Sequence, residues 1–311
     1  MVCDSTARPS AWLIHNGDSL HLQHGPIDLV LMATGNRSAI QTAYQQAHQA
    51  FESVLSTLVQ ELPELRSPVD CLYQQQVKLL GPVAKRMMAV TRPFRDQFVT
   101  PMAAVAGAVA DHVMHAALSD NPLRKLMVNN GGDIAIHLGP NQSARVGICK
   151  RPIDQMHADI LTIHTSDRIG GVATSGWQGR SHSLGVADAV TVLAADAASA
   201  DVAATLIANR VTVEESVNVE RCPANTLQPD SDLGETLVTV AVSQLSDNER
   251  EIAMLSGIDY AQQLLCSGLI AAAYIHLQGK TAIVVDKQPD ALMSIDKQMM
   301  VCSSEEVRQW A

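Results

Sequence analysis

The order of strand-like and helix-like segments is the feature that most constrains this fold. Short apolar runs, such as Ile27–Ala33 and Ala187–Ala194, have the length and composition of buried strands. Between them lie segments in which apolar residues recur every three or four positions, as in residues 38–62 and Met102–Leu118. Because the two kinds of segment do not alternate strictly, the sequence predicts an α+β protein with mixed sheets packed against helices.

Further elements follow from the same two periods. Strands are predicted at Leu126–Asn129, Asp133–Leu138, Leu237–Val242, Ala271–Leu277 and Thr281–Val285, and helices at Ser199–Asn209 and Asp247–Ser267. Four prolines predict irregular structure over residues 63–100, and a polar stretch with two prolines predicts a mobile loop at residues 214–235. A length of 311 residues suits a single domain over residues 1–311, or two intertwined lobes.

Composition excludes several classes of protein. The chain carries 22 Lys+Arg against 32 Asp+Glu, a formal net charge of −10, so it lacks the basic footprint of a nucleic-acid binder. Its most apolar stretches contain charged or amide side chains, so no membrane span is expected. Six isolated cysteines are typical of reduced thiols, and no apolar run near the start resembles a signal peptide. We therefore expect a cytoplasmic protein.

The segment Asn130-Gly131-Gly132-Asp133 follows a predicted strand. Paired glycines let a backbone approach a ligand closely and turn its N–H groups toward an anion, while Asn and Asp side chains hydrogen-bond a sugar or a base. The same four residues also suit a plain hairpin turn. Spacing alone favours the turn and leaves the ligand role open.

A second glycine-rich segment ends in Thr174-Ser175-Gly176. Its N–H and O–H groups suit a phosphate, although the pattern is neither a P-loop nor a dinucleotide-binding fingerprint. A structural loop fits this segment equally well. His182 follows the segment closely and is a candidate general base, although the neighbouring sequence does not show which residue would be its hydrogen-bond partner.

The third segment contains Asp201 and Thr205 on a predicted helix. At a spacing of four residues both oxygens lie on one helical face, and oxygen ligands are what Mg²⁺ prefers. The alternative is an aspartate favoured by the helix dipole, with a threonine bonded to its own turn. Spacing alone favours that alternative.

Taken in order, these segments resemble a known family. After Ala106-Gly107-Ala108-Val109-Ala110-Asp111 come the Asn-Gly-Gly-Asp turn, an Ala-Thr-Ser-Gly loop and an Ala-Asp-x-x-x-Thr helix. This order resembles the ApbE superfamily, the FAD:protein FMN transferases. The fuller match is to its UPF0280 branch, through Met102–Gly107 and Gly185–Val190 among others. The resemblance covers about residues 12–210 and implies an ApbE-like, T-fold-related architecture.

The resemblance also implies roles for individual residues. Asn130, Gly131, Gly132 and Asp133 would line a pocket for FAD or FMN, Thr174, Ser175 and Gly176 would contact the same ligand, and Asp201 with Thr205 would hold Mg²⁺. In the transferases that ion assists attack of a hydroxyl on the FAD pyrophosphate, with release of AMP. An acceptor protein would then be a partner. The glycine doublet and the acid–hydroxyl pair are expected to enclose one crevice.

The sequence also departs from the transferase pattern. Ala106 stands where the transferases have Lys, and their His-x-x-Asp-Pro-x-Thr-Gly segment is reduced to His182 and Asp188. Three functions therefore stay open: flavin transfer or pyrophosphate cleavage, a flavin- or ligand-binding module without catalysis, and an enzyme acting on an unrelated small anionic metabolite. The alanine-rich helices suit either an interior or the interface of a homodimer.

Overall fold

The structure is a computed structural model that describes residues 8–14, 17–148, 159–286 and, for the backbone, 300–302. The chain divides into two compact units. The first comprises the described residues of Met1–Ser143 with His164–Val172 and Ala195–Val202, and the second those of Ala144–Ile163, Ala173–Ala194 and Ala203–Ala311. Each unit is therefore built from stretches that are far apart in the sequence.

Strands and helices in the described ranges have the following bounds. The strands are β1 (Ser10–Ile14), β2 (Ser19–His24), β3 (Ile27–Thr34), β4 (Lys125–Asn130), β5 (Asp133–Leu138), β6 (Ser143–Ile148), β7 (Asp159–His164), β8 (Gly171–Ser175), β9 (Ala189–Ala194), β10 (Val219–Pro223), β11 (Leu237–Val242), β12 (Ala272–Leu277), β13 (Lys280–Val285) and β14 (Met300–Cys302). The α-helices are α1 (Arg37–Phe51), α2 (Val54–Gln60), α3 (Leu62–Leu65), α4 (Val69–Gln74), α5 (Pro82–Thr91), α6 (Val105–Leu118), α7 (Ala197–Arg210), α8 (Ala224–Leu227) and α9 (Asp247–Cys266).

The first unit is built on antiparallel strands in the order β1-β2-β3-β4-β5. Alternate residues of β2 and β3 face the core, and Leu22, Leu29 and Leu31 among them are fully buried. This is the pattern of strands with one face in the core. Helix α6 packs on β4, on β5 and on α1. Its run of alanines and valines lets it approach the sheet closely, so the core of this unit lies between α6 and the strands.

The second unit contains a mixed sheet. Strand β9 pairs with β12 and β12 with β13 in antiparallel fashion, whereas β13 and β14 run parallel. Every residue of β9 and β12 is buried, and α9 packs on β12 and β13. Two smaller two-stranded sheets are formed by β6 with β7 and by β10 with β11. The α+β class with mixed sheets is thus confirmed.

Two regions correct the sequence-based expectations. Residues 63–100 are not irregular, because they contain α4, α5 and most of α3. Their prolines stand where helices begin, as Pro82 does at the first position of α5, and there proline favours a helix. Likewise, residues 214–235 are not all loop, because β10 and α8 lie within them. Strand β10 was missed because its partner, β11, lies outside the segment.

The predicted helix over residues 38–62 is also interrupted. The structure breaks it between α1 and α2, at Glu52 and Ser53, and again before α3. The apolar period continues across the breaks, which is why the sequence pattern does not reveal them. In the part of the chain that the structure describes, no helix is long and apolar enough to cross a membrane.

Candidate functional site

The glycine pair forms the turn of the β4–β5 hairpin. Asn130 and Asp133 are the last paired residues, and Gly131 and Gly132 between them have φ of 65° and 118°. Positive φ at both central residues is the geometry of the two-residue hairpin turns that glycine favours. The Asn129 side chain accepts a hydrogen bond from the Gly132 N–H at 2.8 Å. The segment is therefore a hairpin turn, and both glycines are exposed at its tip.

Asn130 connects this hairpin to helix α6. The side chain is buried, and its Nδ2 donates a hydrogen bond to the Ala106 carbonyl oxygen at 3.0 Å. Ala106 lies in the first turn of α6, so the amide holds the helix beside the end of β4. The buried amide thus has a structural partner in the protein itself.

Asp201 lies against the same turn of α6. Its Oδ2 accepts a hydrogen bond from the Gly107 N–H at 3.0 Å. Burial and the neighbouring carboxylate of Asp133 raise the pKa of Asp201 well above its usual value, while backbone N–H groups of Gly107 and Ala106 oppose that rise. The first unit therefore brings together the hairpin turn, the start of α6 and the acidic residue of α7.

Sequence analysis assigned no role to Asp111, the last residue of the Ala106–Asp111 segment, which is a second carboxylate in this unit. Asp111 on α6 is 2% exposed, and it accepts hydrogen bonds from the N–H groups of Ala197, at 3.1 Å, and Ala198, at 3.0 Å. Burial raises the pKa of Asp111 to about 6, against the two N–H bonds that lower it. An acidic residue inside a mostly apolar helix was the available signal, since a buried charge needs a partner.

Asp196 completes the polar groups at the start of α7. Its Oδ1 accepts a hydrogen bond from the Ser199 N–H at 2.9 Å, as an N-cap side chain does. The same carboxylate pairs with Arg86 of α5. The first N–H groups of α7 are thus already occupied by carboxylates of the protein.

The residues Thr174, Ser175 and Gly176, at the end of β8, belong to the second unit. Thr174 is exposed, and its Oγ1 shares a hydrogen bond of 2.8 Å with the Oγ1 of Thr191. Gly176 is buried, and a Cβ there would lie 2.4 Å from the Asp188 carbonyl oxygen. Close packing therefore requires glycine at this position. Ser175, between the two, ends the strand and is half-buried.

Asp188 is held by backbone and indole donors. Its Oδ2 accepts a hydrogen bond from the Gln278 N–H at 2.6 Å, and its Oδ1 accepts one from the Trp177 Nε1–H at 3.4 Å. His182 is half-buried and has no hydrogen-bond partner among the described residues. No hydrogen bond joins these two side chains, so the predicted catalytic role of each stays a prediction.

The metal prediction rests on helix α7. Thr205 is half-buried one turn after Asp201, which is the spacing that the sequence indicates. Across the described ranges, no three His, Cys, Asp or Glu side chains are grouped as a metal site. A magnesium ion held by one carboxylate, one hydroxyl, backbone carbonyls and substrate oxygens does not need such a group. The oxygen donors of α7 and the neighbouring carboxylate of Asp133 fit a divalent cation.

Comparison with known proteins adds the family context. A model of the family described as AbpE bacteria matches residues 11–283. A UPF0280 protein of Methanothrix thermoacetophila is 38% identical over 148 residues, which are 47% of this chain and 59% of that protein. A UPF0280 protein of Methanopyrus kandleri is 39% identical over 127 residues, covering 41% and 48% of the two chains. The chain thus spans about half to three-fifths of the length of these relatives.

Among solved structures, the chain is similar to the apo form of the flavinyl transferase ApbE from Pseudomonas stutzeri. The TM-score is 0.40 and the identity 12%, over 88% of this chain and 91% of that one. A flavin transferase ApbE mutant from Vibrio cholerae gives a TM-score of 0.28 at 13% identity, over 65% and 87% of the two chains. Likenesses this distant carry no conclusion about chemistry.

Proposed function

Because the chain belongs to the AbpE bacteria family, we propose that it binds a flavin nucleotide or a related dinucleotide with Mg²⁺ and acts on the pyrophosphate. The family match and the UPF0280 relatives confirm the resemblance that the ordered motifs indicate. Flavin, magnesium and the reaction are our proposals for this chain.

One observation carries the proposal. The Asn-Gly-Gly-Asp hairpin, the first turn of α6 and Asp201 come from three distant parts of the sequence, and the first unit brings them together. The exposed tip of the hairpin leaves the backbone at Gly131 and Gly132 open to a ligand. We assign the nucleotide to this surface, and the ligand contacts of Thr174, Ser175 and Gly176 stay predictions of the family resemblance.

Asp201 and Thr205 are the proposed magnesium ligands. When bound, Mg²⁺ would neutralise charge on phosphate oxygens and on the departing phosphate. Asp201 supplies the carboxylate and Thr205 the hydroxyl one turn later on α7. The nearby carboxylate of Asp133 adds negative charge that favours a cation, and the Gly107 N–H fixes one oxygen of Asp201.

The proposed reaction transfers a flavin nucleotide from FAD. A hydroxyl of an acceptor protein, or of water, forms a new bond to the phosphorus of the FMN half. The bond from that phosphorus to the bridging oxygen breaks, AMP leaves with that oxygen, and the hydroxyl loses its proton. His182, which has no hydrogen-bond partner among the described residues, is our candidate for the proton acceptor. Asp188, whose carboxylate accepts hydrogen bonds from Gln278 and Trp177, is our second candidate catalytic residue.

The experiment measures binding and chemistry separately. FAD fluorescence is titrated with protein in the presence of Mg²⁺, and AMP is then quantified after addition of a candidate acceptor. Quenching with AMP release supports the proposal. Quenching without AMP, with every acceptor and with water, favours a binding module, and no quenching favours a different anionic metabolite.

Two matched variants test the metal assignment. Asp201→Ala should abolish the magnesium-dependent part of FAD binding. Asp96→Ala removes an acidic side chain that is exposed on the surface of the same unit, and it should change nothing. Equal magnesium dependence in wild type and Asp201→Ala would remove Asp201 from the site.

A further inference from the structure

Helices α6 and α7 each contribute a carboxylate that accepts hydrogen bonds from first-turn N–H groups of the other helix. Asp111 lies one turn after Gly107 on α6, and Asp201 lies one turn after Ala197 on α7. Asp111 accepts hydrogen bonds from the N–H groups of Ala197 and Ala198, while Asp201 accepts one from the N–H of Gly107. Each helix thus satisfies first-turn N–H groups of the other, which would otherwise lack an intrahelical partner. We call these three hydrogen bonds the carboxylate clasp.

The two backbones are in contact inside the clasp. A Cβ on Gly107 would lie 2.3 Å from the carbonyl oxygen of Ala197 and 2.7 Å from the nitrogen of Ala198. Real side-chain carbons do not come this close to backbone atoms, so only glycine permits the crossing. With the backbones touching, a small shift of α7 changes the position of Asp201 relative to α6 directly.

Asp111 is the part of the clasp that does not belong to the proposed metal site. It is 2% exposed, and both of its oxygens are used by backbone N–H groups of α7. Asp196 differs, because its carboxylate bonds the Ser199 N–H of its own helix and Arg86 of α5. Unlike Asp196, Asp111 therefore fixes α7 to α6, and unlike Asp201 it does so without belonging to the proposed metal site.

We propose that Asp111 is a positioning residue: through the clasp it holds α7 so that Asp201 is presented for a divalent cation. This inference rests on the proposed function, in which Asp201 is a magnesium ligand. Residues that orient a metal ligand without touching the metal commonly change metal affinity about ten- to a hundred-fold when they are replaced.

The test compares two isosteric variants of the full chain. Asp111→Asn leaves one acceptor for the two α7 N–H groups. Glu61→Gln makes the same change where α5 begins, since Glu61 accepts hydrogen bonds from the N–H groups of Leu80 and Gly81. Both should lower the unfolding temperature, so stability alone does not distinguish them.

Two readouts separate positioning from stability. The first is hydrogen exchange of the Gly107 amide in metal-free protein, measured by NMR, and we expect it to rise at least about tenfold in Asp111→Asn only. The second is binding of Mn²⁺ alone, followed by electron paramagnetic resonance. We expect Asp111→Asn to weaken it at least about tenfold and Glu61→Gln to leave it within about twofold of wild type.

The outcomes distinguish this inference from the proposed function. Unchanged Gly107 exchange in Asp111→Asn overturns the positioning role, whatever the metal result. Equal Mn²⁺ affinity in wild type and Asp111→Asn also overturns it and leaves the metal site standing. Absence of Mn²⁺ binding by the wild type overturns the proposed metal function, and the positioning role falls with it.

A second variant covers the case in which Asp111→Asn does not fold. Asp111→Glu keeps both acceptor oxygens on a longer side chain, so it should fold with α7 displaced. We expect faster Gly107 exchange and weaker Mn²⁺ binding in this variant too. A folded Asp111→Glu protein with wild-type values for both would contradict the inference.

Discussion

Asp111 gives the protein a defined dependence of stability on pH. Burial raises its pKa from the ordinary 3.8 to about 6, so the folded state binds a proton more tightly than the unfolded state does. The stabilisation from this group is therefore fully present below about pH 3.8 and is lost as the pH rises through about 6. We expect the free energy of unfolding to fall over this interval, with a smaller fall in Asp111→Asn.

Other groups around Asp111 also titrate or carry charge. The carboxylate of Asp196 raises its pKa and the guanidinium of Arg86 lowers it. Burial lowers the pKa of His112, the next residue on α6. The contribution of His112 to the free energy of unfolding therefore rises with pH, opposite to that of Asp111. The measurement is therefore the difference between wild type and Asp111→Asn in urea unfolding from pH 4 to pH 7. Parallel curves would contradict the prediction.

Gly107 tests the backbone contact between α6 and α7. A Cβ there would meet the Ala197 carbonyl oxygen at 2.3 Å, and backbone atoms have little freedom to move away. We expect Gly107→Ala to lower the free energy of unfolding by about 1–3 kcal/mol, although alanine is the better helix former. Urea unfolding measures the loss.

The control for this substitution is Gly179→Ala. Its Cβ would approach other atoms no closer than 3.1 Å, at an exposed position. A loss smaller than that of Gly107→Ala is expected there, because the nearest atom lies at 3.1 Å rather than 2.3 Å. If Gly107→Ala were as stable as this control, the two helices would not be in contact through their backbones.

Helix α5 shows how one side chain fixes the start of an element. Glu61, just before α3, accepts hydrogen bonds from the N–H groups of Leu80 and of Gly81, the latter at 2.9 Å. Pro82 then begins the helix. We expect Glu61→Ala to cost about 1–2 kcal/mol, because two backbone N–H groups lose a charged acceptor.

Thermal unfolding of Glu61→Ala and Glu64→Ala compares two neighbouring acids. The Glu64 side chain in α3 makes no hydrogen bond to the described residues, so its removal should change stability by less than about 0.5 kcal/mol. Equal losses in the two variants would mean that Glu61 acts through charge alone. Glu61 also shows why residues 63–100 are not all irregular. Its side chain fixes the start of α5 from 20 positions away in the sequence.

For the molecule as a whole, ligand binding should appear as added stability. A nucleotide that binds only the folded chain adds about 2.7 kcal/mol to the free energy of unfolding at 100 times its dissociation constant. We expect FAD with Mg²⁺ to raise the unfolding temperature of the wild type, measured by circular dichroism. In Asp201→Ala the shift should be the same with and without Mg²⁺. No shift in the wild type would contradict nucleotide binding.

The sequence by itself determined the α+β class, most strands and helices, and the hairpin turn at Gly131 and Gly132. These depend on local properties, namely the period of apolar residues and the need for positive φ at two adjacent positions. The order of its motifs also indicated the family, because that order needs no knowledge of contacts.

Only the tertiary structure decided which polar groups meet. Asp111 and Asp201 accept hydrogen bonds from backbone N–H groups about 90 positions away. The local sequence of each helix shows only an ordinary amphipathic or apolar pattern. Strand β10 and the start of α5 likewise depend on partners elsewhere in the chain. A backbone N–H accepts any suitably placed oxygen, so its partner leaves no pattern in the local sequence and is fixed only when the elements pack.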